Sequence, residues 1–162
     1  MTPPVQTPRL TLRRPTGQDI DRLLLLANDF EVARMLERMP HPYRLADAEA
    51  WLAAIGQDDS RMDLAIDDRN GLIGGLSLRG LDETPVIGYW LGRPYWGRGY
   101  MSEAATAALG WLFDSRGVTQ VEARAMTENA ASLKVLAKLG FRDVGAAECA
   151  STACGENRPA RR

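Results

Sequence analysis

The 162 residues are 45% hydrophobic and 25% charged, with a formal net charge of −1, the proportions of an ordinary globular chain long enough to bury a core. The near-neutral balance argues against a large nucleic-acid-binding surface and leaves room only for a local basic patch, and no apolar run of about 18 residues or basic-then-apolar leader is present. The expectation is one domain over residues 1–162, cytoplasmic, with neither nucleic acid nor membrane as a partner. Cys149 and Cys154, the two cysteines, have no histidine partners for a metal site and read as incidental thiols of a reducing compartment.

Residues 1–8 form a polar, Pro-rich lead-in, and Arg9 to Arg13 alternates with period two as a half-buried strand. Pro15 closes it. Thr16 can cap a helix over 17–28, with Asp19 completing an acidic variant of the capping box. A short helix over 31–38 carries Val32, Met35 and Leu36 inward. Pro40-His41-Pro42-Tyr43 is a stiff loop, and His41, the single histidine, is either a plain loop residue or part of a binding pocket. A helix follows over 46–55. Residues 62–66 and 72–78 read as strands joined through Asn70-Gly71, a strong hairpin signal, and 86–91 as a third antiparallel strand. Next come a helix over 101–115, a turn at Gly117, a strand over 118–126 and a helix from Asn129 to Lys138. Gly140 caps that helix, and Phe141 opens a further strand. Such a succession makes a mixed α/β sheet.

The stretch from Val86 to Leu112 organises the rest. Its strand ends at Gly92-Arg93-Pro94, and Gly97-Arg98-Gly99 turns the backbone into an Ala-rich helix. A strand leaving through glycines into a helix bares several N–H groups at the positive end of the helix dipole, which attracts an anion, most often phosphate. Glycines also occur at such junctions simply to make the turn. A dinucleotide fingerprint fails because Ser102 stands where its third glycine belongs, and no G-x-x-x-x-G-K-[ST] loop is present. What remains is a shorter pyrophosphate cradle over 97–102. Further on, Asn129 and Ser132 share one helix face near its N-terminus, where Asn129 serves as N-cap and Ser132 as a solvated first-turn residue. Glu103, in the first turn after the cradle, favours the helix dipole and reads as structural.

The run YWGRGYMSEA, with NAASLKVLAKLGF some thirty residues later, resembles the GNAT N-acetyltransferase superfamily. Within it, the chain is similar to the RimJ/RimL-type branch, which acetylates N-terminal amines of ribosomal proteins. The resemblance extends from TPRLTLRRP to KLGFRDVG. The superfamily signature, Gln/Arg-x-x-Gly-x-Gly/Ala, falls on Trp96, Gly99 and Met101, of which Gly99 alone meets the strict pattern. The YWG-(Arg/Lys)-GY variant is common in the ribosomal branch; Met101 stands where a small residue is usual.

The resemblance implies a GNAT fold: an α/β architecture whose mixed, mostly antiparallel central sheet is flanked by helices and splays between two parallel strands, 86–91 and 118–126. The gap would admit the pantetheine arm of acetyl-CoA as a surrogate strand. Implied contacts to this co-substrate are Trp90, Leu91, Trp96, Gly97, Arg98, Gly99, Tyr100, Met101, Ser102, Asn129 and Ser132, with no metal. The implied activity is acetyl transfer to a primary amine by direct attack on the thioester, with a protein or peptide N-terminus as acceptor. A small-molecule amine acetyltransferase and a non-catalytic acyl-CoA-binding module are the alternatives, in a monomer or homodimer.

Amine acetylation needs a deprotonated amine, donors for the developing oxyanion and a proton for the leaving thiolate. By the resemblance Ser132 supplies that proton, since the positions where relatives carry a tyrosine hold Val135, Leu136 and Ala137. The strand before the cradle has no glutamate at Pro85-Val86-Ile87, so Glu122 on the neighbouring strand stands in as base, against a structural role or proton loss to water. The resemblance also implies a final apolar strand, whereas the tail AECASTACGENRPARR is polar. That strand is expected to be short, disordered or supplied otherwise, with part of the acceptor wall missing with it.

Overall fold

The computed structural model describes residues 4–162, so the first three residues of the expected lead-in lie outside the described part. Strands β1 (Val5–Gln6), β2 (Thr11–Arg13), β3 (Arg61–Asp67), β4 (Leu72–Arg79), β5 (Val86–Leu91) and β6 (Glu122–Ala123) form one sheet in that order. Every neighbouring pair is antiparallel except β5 and β6, which run parallel. Strands β7 (Ala125–Met126), β8 (Ala146–Ser151) and β9 (Glu156–Arg161) form a second sheet, in the order β7-β9-β8. The helices are α1 (Ile20–Leu26), α2 (Phe30–Ala33), α3 (Leu45–Ala54), α4 (Tyr100–Arg116) and α5 (Ala130–Lys138).

Period-two alternation in β3–β5 divides the core between the two sheet faces. Met62, Leu64, Ile66, Leu76, Leu78, Ile87 and Leu91 belong to the cluster that also holds Met101, Ala104, Ala105, Ala108 and Leu112 of α4. Alanines on the inner side of α4 keep that helix close to the sheet. On the opposite face Ala65 and Leu72 meet Leu23, Leu26 and Ala27 of α1 and its flank, Ala48 of α3 and Tyr43. A half-buried ion network fixes the start of α1: the Asp19 carboxylate accepts from Thr16 N at 2.8 Å and from Arg13 at 2.7 Å, and Arg13 also holds Asp67.

The splay is written in the register. Strands β5 and β6 pair only at Val86↔Glu122 and Ile87↔Ala123. After Arg124 the chain joins the second sheet, where Ala125 and Met126 pair with Arg161 and Ala160. Strand β5 meanwhile continues to Leu91 along β4, so its far edge is left open.

Several expectations need correction: the helix expected over 31–38 is only Phe30–Ala33, and the lead-in contributes the short strand β1. The strand expected over 118–126 shrinks to two short pieces, because the sheets part in its middle. Phe141 begins no strand; β8 starts at Ala146. The polar tail does form a final strand, since β8 and β9 make a full antiparallel hairpin. Backbone pairing sustains it, with only Met126, Cys149 and Ala160 buried beneath. Pro159 lies inside β9, yet its carbonyl accepts from Thr127 N at 2.9 Å, just past the end of β7. By strand parity its missing N–H falls on that same side, where the ladder has already stopped.

Candidate functional site

The cradle is made of backbone. Gly97 and Gly99 have φ of +71° and +77°, a region that non-glycine residues adopt at a cost. Gly99 is the N-cap of α4 and offers no side chain to its amides. Glu103 N reaches Gly99 O at 3.1 Å, and no side chain caps the amides of Tyr100, Met101 and Ser102 ahead of it. Met101 turns its side chain into the core, which disposes of the bulk expected at that position. Arg98 and Gly99 are exposed, and Arg98 faces solvent above the turn.

The N-terminal segment braces this turn. Glu103 accepts from Thr7 Oγ1 at 2.6 Å, Arg9 N at 2.9 Å and Arg9 Nε at 2.6 Å. Burial alone would raise the Glu103 carboxyl, but the Thr7 and Arg9 donors hold it below its ordinary value. The Arg9 guanidinium also donates to Arg98 O at 2.9 Å and lies 4.6 Å above the Tyr100 ring. Glu103 is therefore structural, as expected, by tying β2's approach to the cradle. Nothing in the sequence marked Arg9 for this task, since its partners lie some ninety residues away.

The open edge of β5 leads inward. Pro85 O, on that edge, accepts from Glu122 N at 2.8 Å, and Leu91 O accepts from Trp96 Nε1 at 2.8 Å. By strand parity the N–H and C=O of Tyr89 point into the same gap. Leu91 is thus no open ligand contact: its side chain is core and its carbonyl is already engaged. Trp96 pins the cradle loop against the strand end. Trp90 faces the other side of the sheet, where a Cβ on Gly75 would stand 2.7 Å from its Nε1.

Beside the gap, α5 presents Asn129 and Ser132. Asn129 Oδ1 accepts from Ser132 N at 3.1 Å, so Asn129 is indeed the N-cap. The Ser132 hydroxyl meets the Tyr89 hydroxyl at 2.9 Å. Burial raises the Tyr89 phenol above its ordinary value, more than its contact with Ser132 lowers it, so it keeps its proton at neutral pH. Tyr89 was read in the sequence only as a strand residue; its hydroxyl meets α5 through long-range packing.

A cavity of about 760 Å³ opens on the face opposite α4. Register fixes its sheet wall in three rows: Arg61–Arg79–Val86, Asp63–Ser77–Gly88 and Gly75–Trp90. Leu23, Tyr43, Trp51, Met35 and Met39 line it from the helical side, and Ser132, Asn129, Cys149 and Thr152 from the other. The C-terminal hairpin holds the 34–37 segment in place through Thr152 Oγ1 to Glu37 O at 2.7 Å and Ser151 Oγ to Arg34 O at 3.3 Å. The wall thought to be missing is present. Burial and Glu37 push the Cys149 thiol up to about 12, which makes it inert.

Glu122 is corrected as a base. Its carboxylate faces Arg162 Nε at 4.0 Å, and it does not line the cavity that contains its neighbour Ala123. His41 packs against the Phe30 ring at 5.4 Å, outside the cavity lining. Two of the three carboxylates that line the cavity are engaged, Asp63 by Arg61 at 2.6 and 2.9 Å and Asp47 by Arg44 N at 2.7 Å; the third, Glu37, is close enough to Cys149 to raise its thiol. Among the described residues no cluster of three or more His, Cys, Asp or Glu could hold a metal, and no helix is long and apolar enough to cross a membrane.

Residues 9–142 match the family described as "Acetyltransferase (GNAT) domain". An uncharacterized N-acetyltransferase, p20, from Bacillus licheniformis is 29% identical over 147 residues, covering 86% of this chain and 82% of the relative. The microcin C7 self-immunity acetyltransferase MccE, crystallised with acetyl-CoA and AMP, superposes with a TM-score of 0.84 at 20% identity, over 96% of this chain and 91% of that one. A putative ribosomal-protein-serine acetyltransferase from Vibrio cholerae gives a TM-score of 0.81 at 20% identity, over 99% and 98%.

Proposed function

The chain belongs to the acetyltransferase (GNAT) domain family, a family of N-acetyltransferases, and from that membership we propose that it moves acetyl from acetyl-CoA to a peptide N-terminus, with Ser132 and Tyr89 as the proton source. The observation that carries this reading is the 2.9 Å contact between the two hydroxyls beside the open edge of β5.

The residues fit the co-substrate. The uncapped amides of 99–102 suit a diphosphate, the unpaired edge at Tyr89 suits an amide-bearing arm, and the cavity behind it suits an acceptor. Acetyl-CoA supplies an activated acetyl group that an amine takes by direct attack on the thioester. Tyr89 N–H points into the gap, where it can stabilise negative charge developing on an oxygen. Ser132 hands its proton to the departing sulfur and takes one from the Tyr89 phenol, which regains its own from the water that receives the amine's proton. The acceptor amine gives its proton to water.

Thiol release from acetyl-CoA, measured across peptides and small amines, tests the reading. Transfer to peptide N-termini is the expected result. Acetylation of small amines alone overturns the choice of acceptor. Coenzyme binding without any transfer leaves an acyl-CoA-binding module instead.

A further inference from the structure

The sheet wall of the cavity carries a charge pattern that acetyl transfer does not use. Arg61 and Arg79 are opposite one another on β3 and β4, and Arg38 reaches the same cavity from the loop after α2. Arg61 is neutralised by Asp63, two residues along the same strand face, through both carboxylate oxygens. Arg79 has no such partner. Among the described residues it makes no ion pair, and its Nε is buried without a hydrogen-bond acceptor. It is the one buried side-chain nitrogen or oxygen among the described residues left in that state. Native chains avoid this, because a buried donor without an acceptor loses its hydration and gains nothing in return.

We propose that Arg79, backed by Arg38 and Arg61, binds an oxyanion on the acceptor, a carboxylate or phosphate that lies a short distance from the reactive amine. This rests on the acetyltransferase reading and names its substrate class. Desolvation, with Arg38 and Arg61 nearby, lowers Arg79 from its ordinary value; Asp63 and Glu37 oppose that shift. An incoming oxyanion relieves both penalties at once and accepts from Nε in a charge-assisted hydrogen bond. The span follows from register. Arg79 is opposite Val86, and Tyr89 lies three residues further along β5, which is about 10 Å at the usual strand rise. That separation suits an acidic side chain near a peptide N-terminus, or an ω-amino acid. It does not suit a polyamine, whose second cation would meet three arginines.

Matched pairs differing only in charge provide the test: the peptides Ser-Glu-Ala-Ala and Ser-Gln-Ala-Ala, and 6-aminohexanoate against 6-aminohexanamide. The acid member of at least one pair should give the higher kcat/KM, by about tenfold or more, the scale of one charge-assisted contact. Which pair shows the preference separates the peptide from the free small molecule. In Arg79→Gln the preference should vanish while coenzyme affinity stays unchanged. The Tm of Arg79→Gln should equal or exceed that of the parent, because a buried unpaired donor has been removed. A second readout does not depend on turnover: calorimetric titration of 6-aminohexanoate and of inorganic phosphate into the parent and the variant. Binding that needs Arg79, without transfer to any amine, keeps the oxyanion site and overturns the acetyltransferase reading. Equal turnover of acid and amide, unaltered by Arg79→Gln, overturns the oxyanion site and keeps the transferase.

Discussion

The cradle and the cavity are built from opposite materials. The cradle is exposed main chain at the start of a helix that no side chain caps, and its shape depends on two glycines in the left-handed region. The cavity is side chains from five strands, three helices, the loop after α2 and a C-terminal hairpin, brought together by register and by contacts distant in sequence. One depends on a backbone conformation that glycine adopts without strain. The other depends on which residues face each other. Substitutions should therefore act differently in the two regions: the cradle answers to changes in backbone freedom, the cavity to the loss of single functional groups.

The hydroxyl pair gives the largest contrast. Ser132→Ala should slow turnover about 10²-fold or more, the usual scale for a positioned proton donor, with little change in coenzyme affinity. Tyr89→Phe should reproduce most of that loss, and the double variant should cost no more than Ser132→Ala alone, since the two act as one relay. Steady-state kinetics alongside calorimetry for the coenzyme separates the effects. Additive losses would show that the hydroxyls work independently.

Gly99→Val should do the reverse. A β-branched residue at φ +77° costs about 1–3 kcal/mol of strain, and the turn relieves it by abandoning the arrangement that presents the amides. Coenzyme Kd should rise about tenfold or more, while kcat at saturation stays near the parent value. The added Cβ would stand 3.5 Å from Arg9 Nη2, an ordinary contact, so strain rather than collision is being read. An unchanged Kd would mean that the amides of 99–102 do not grip the ligand.

The same division explains what the sequence disclosed. The β3–β5 meander, the Asn-Gly hairpin, the strand–glycine–helix turn and the Asn129 cap are local signals, each carried by neighbours in the chain. The splay was legible only through the resemblance, because nothing in 118–126 marks Arg124 as the point of divergence. Tyr89 and Arg79 stayed hidden for a different reason. A tyrosine or an arginine on a strand becomes a site residue only once register sets its neighbour, and here those neighbours are Ser132 on α5 and Arg61 on β3. The β9 strand was missed because ENRPAR has the composition of a loop. It is held by main-chain pairing on both sides, with its proline placed where β7 has ended.

Arg9 stands between the two kinds of construction, a side chain that holds a backbone site in shape, and it sharpens the comparison with the smallest effect. Its guanidinium joins Glu103 to Arg98 O and covers Tyr100, so Arg9→Ala should weaken the coenzyme only a few-fold, roughly the loss of one exposed charged contact. The same brace gives the cradle a dependence on pH. Donors from Thr7 and Arg9 hold the Glu103 carboxyl below its ordinary 4.5, so the ionised brace is complete above that value and is lost as pH falls through the lowered one. Coenzyme affinity of the parent should thus fall on acidification by more than that of Glu103→Gln, which has no charge left to lose. The coenzyme's own phosphates titrate identically in both proteins, so they cancel from the ratio of the two Kd values. A ratio flat from neutrality down to about pH 4 and sloping only below it is what the brace requires; a ratio that slopes near neutrality would assign the coupling to some other group.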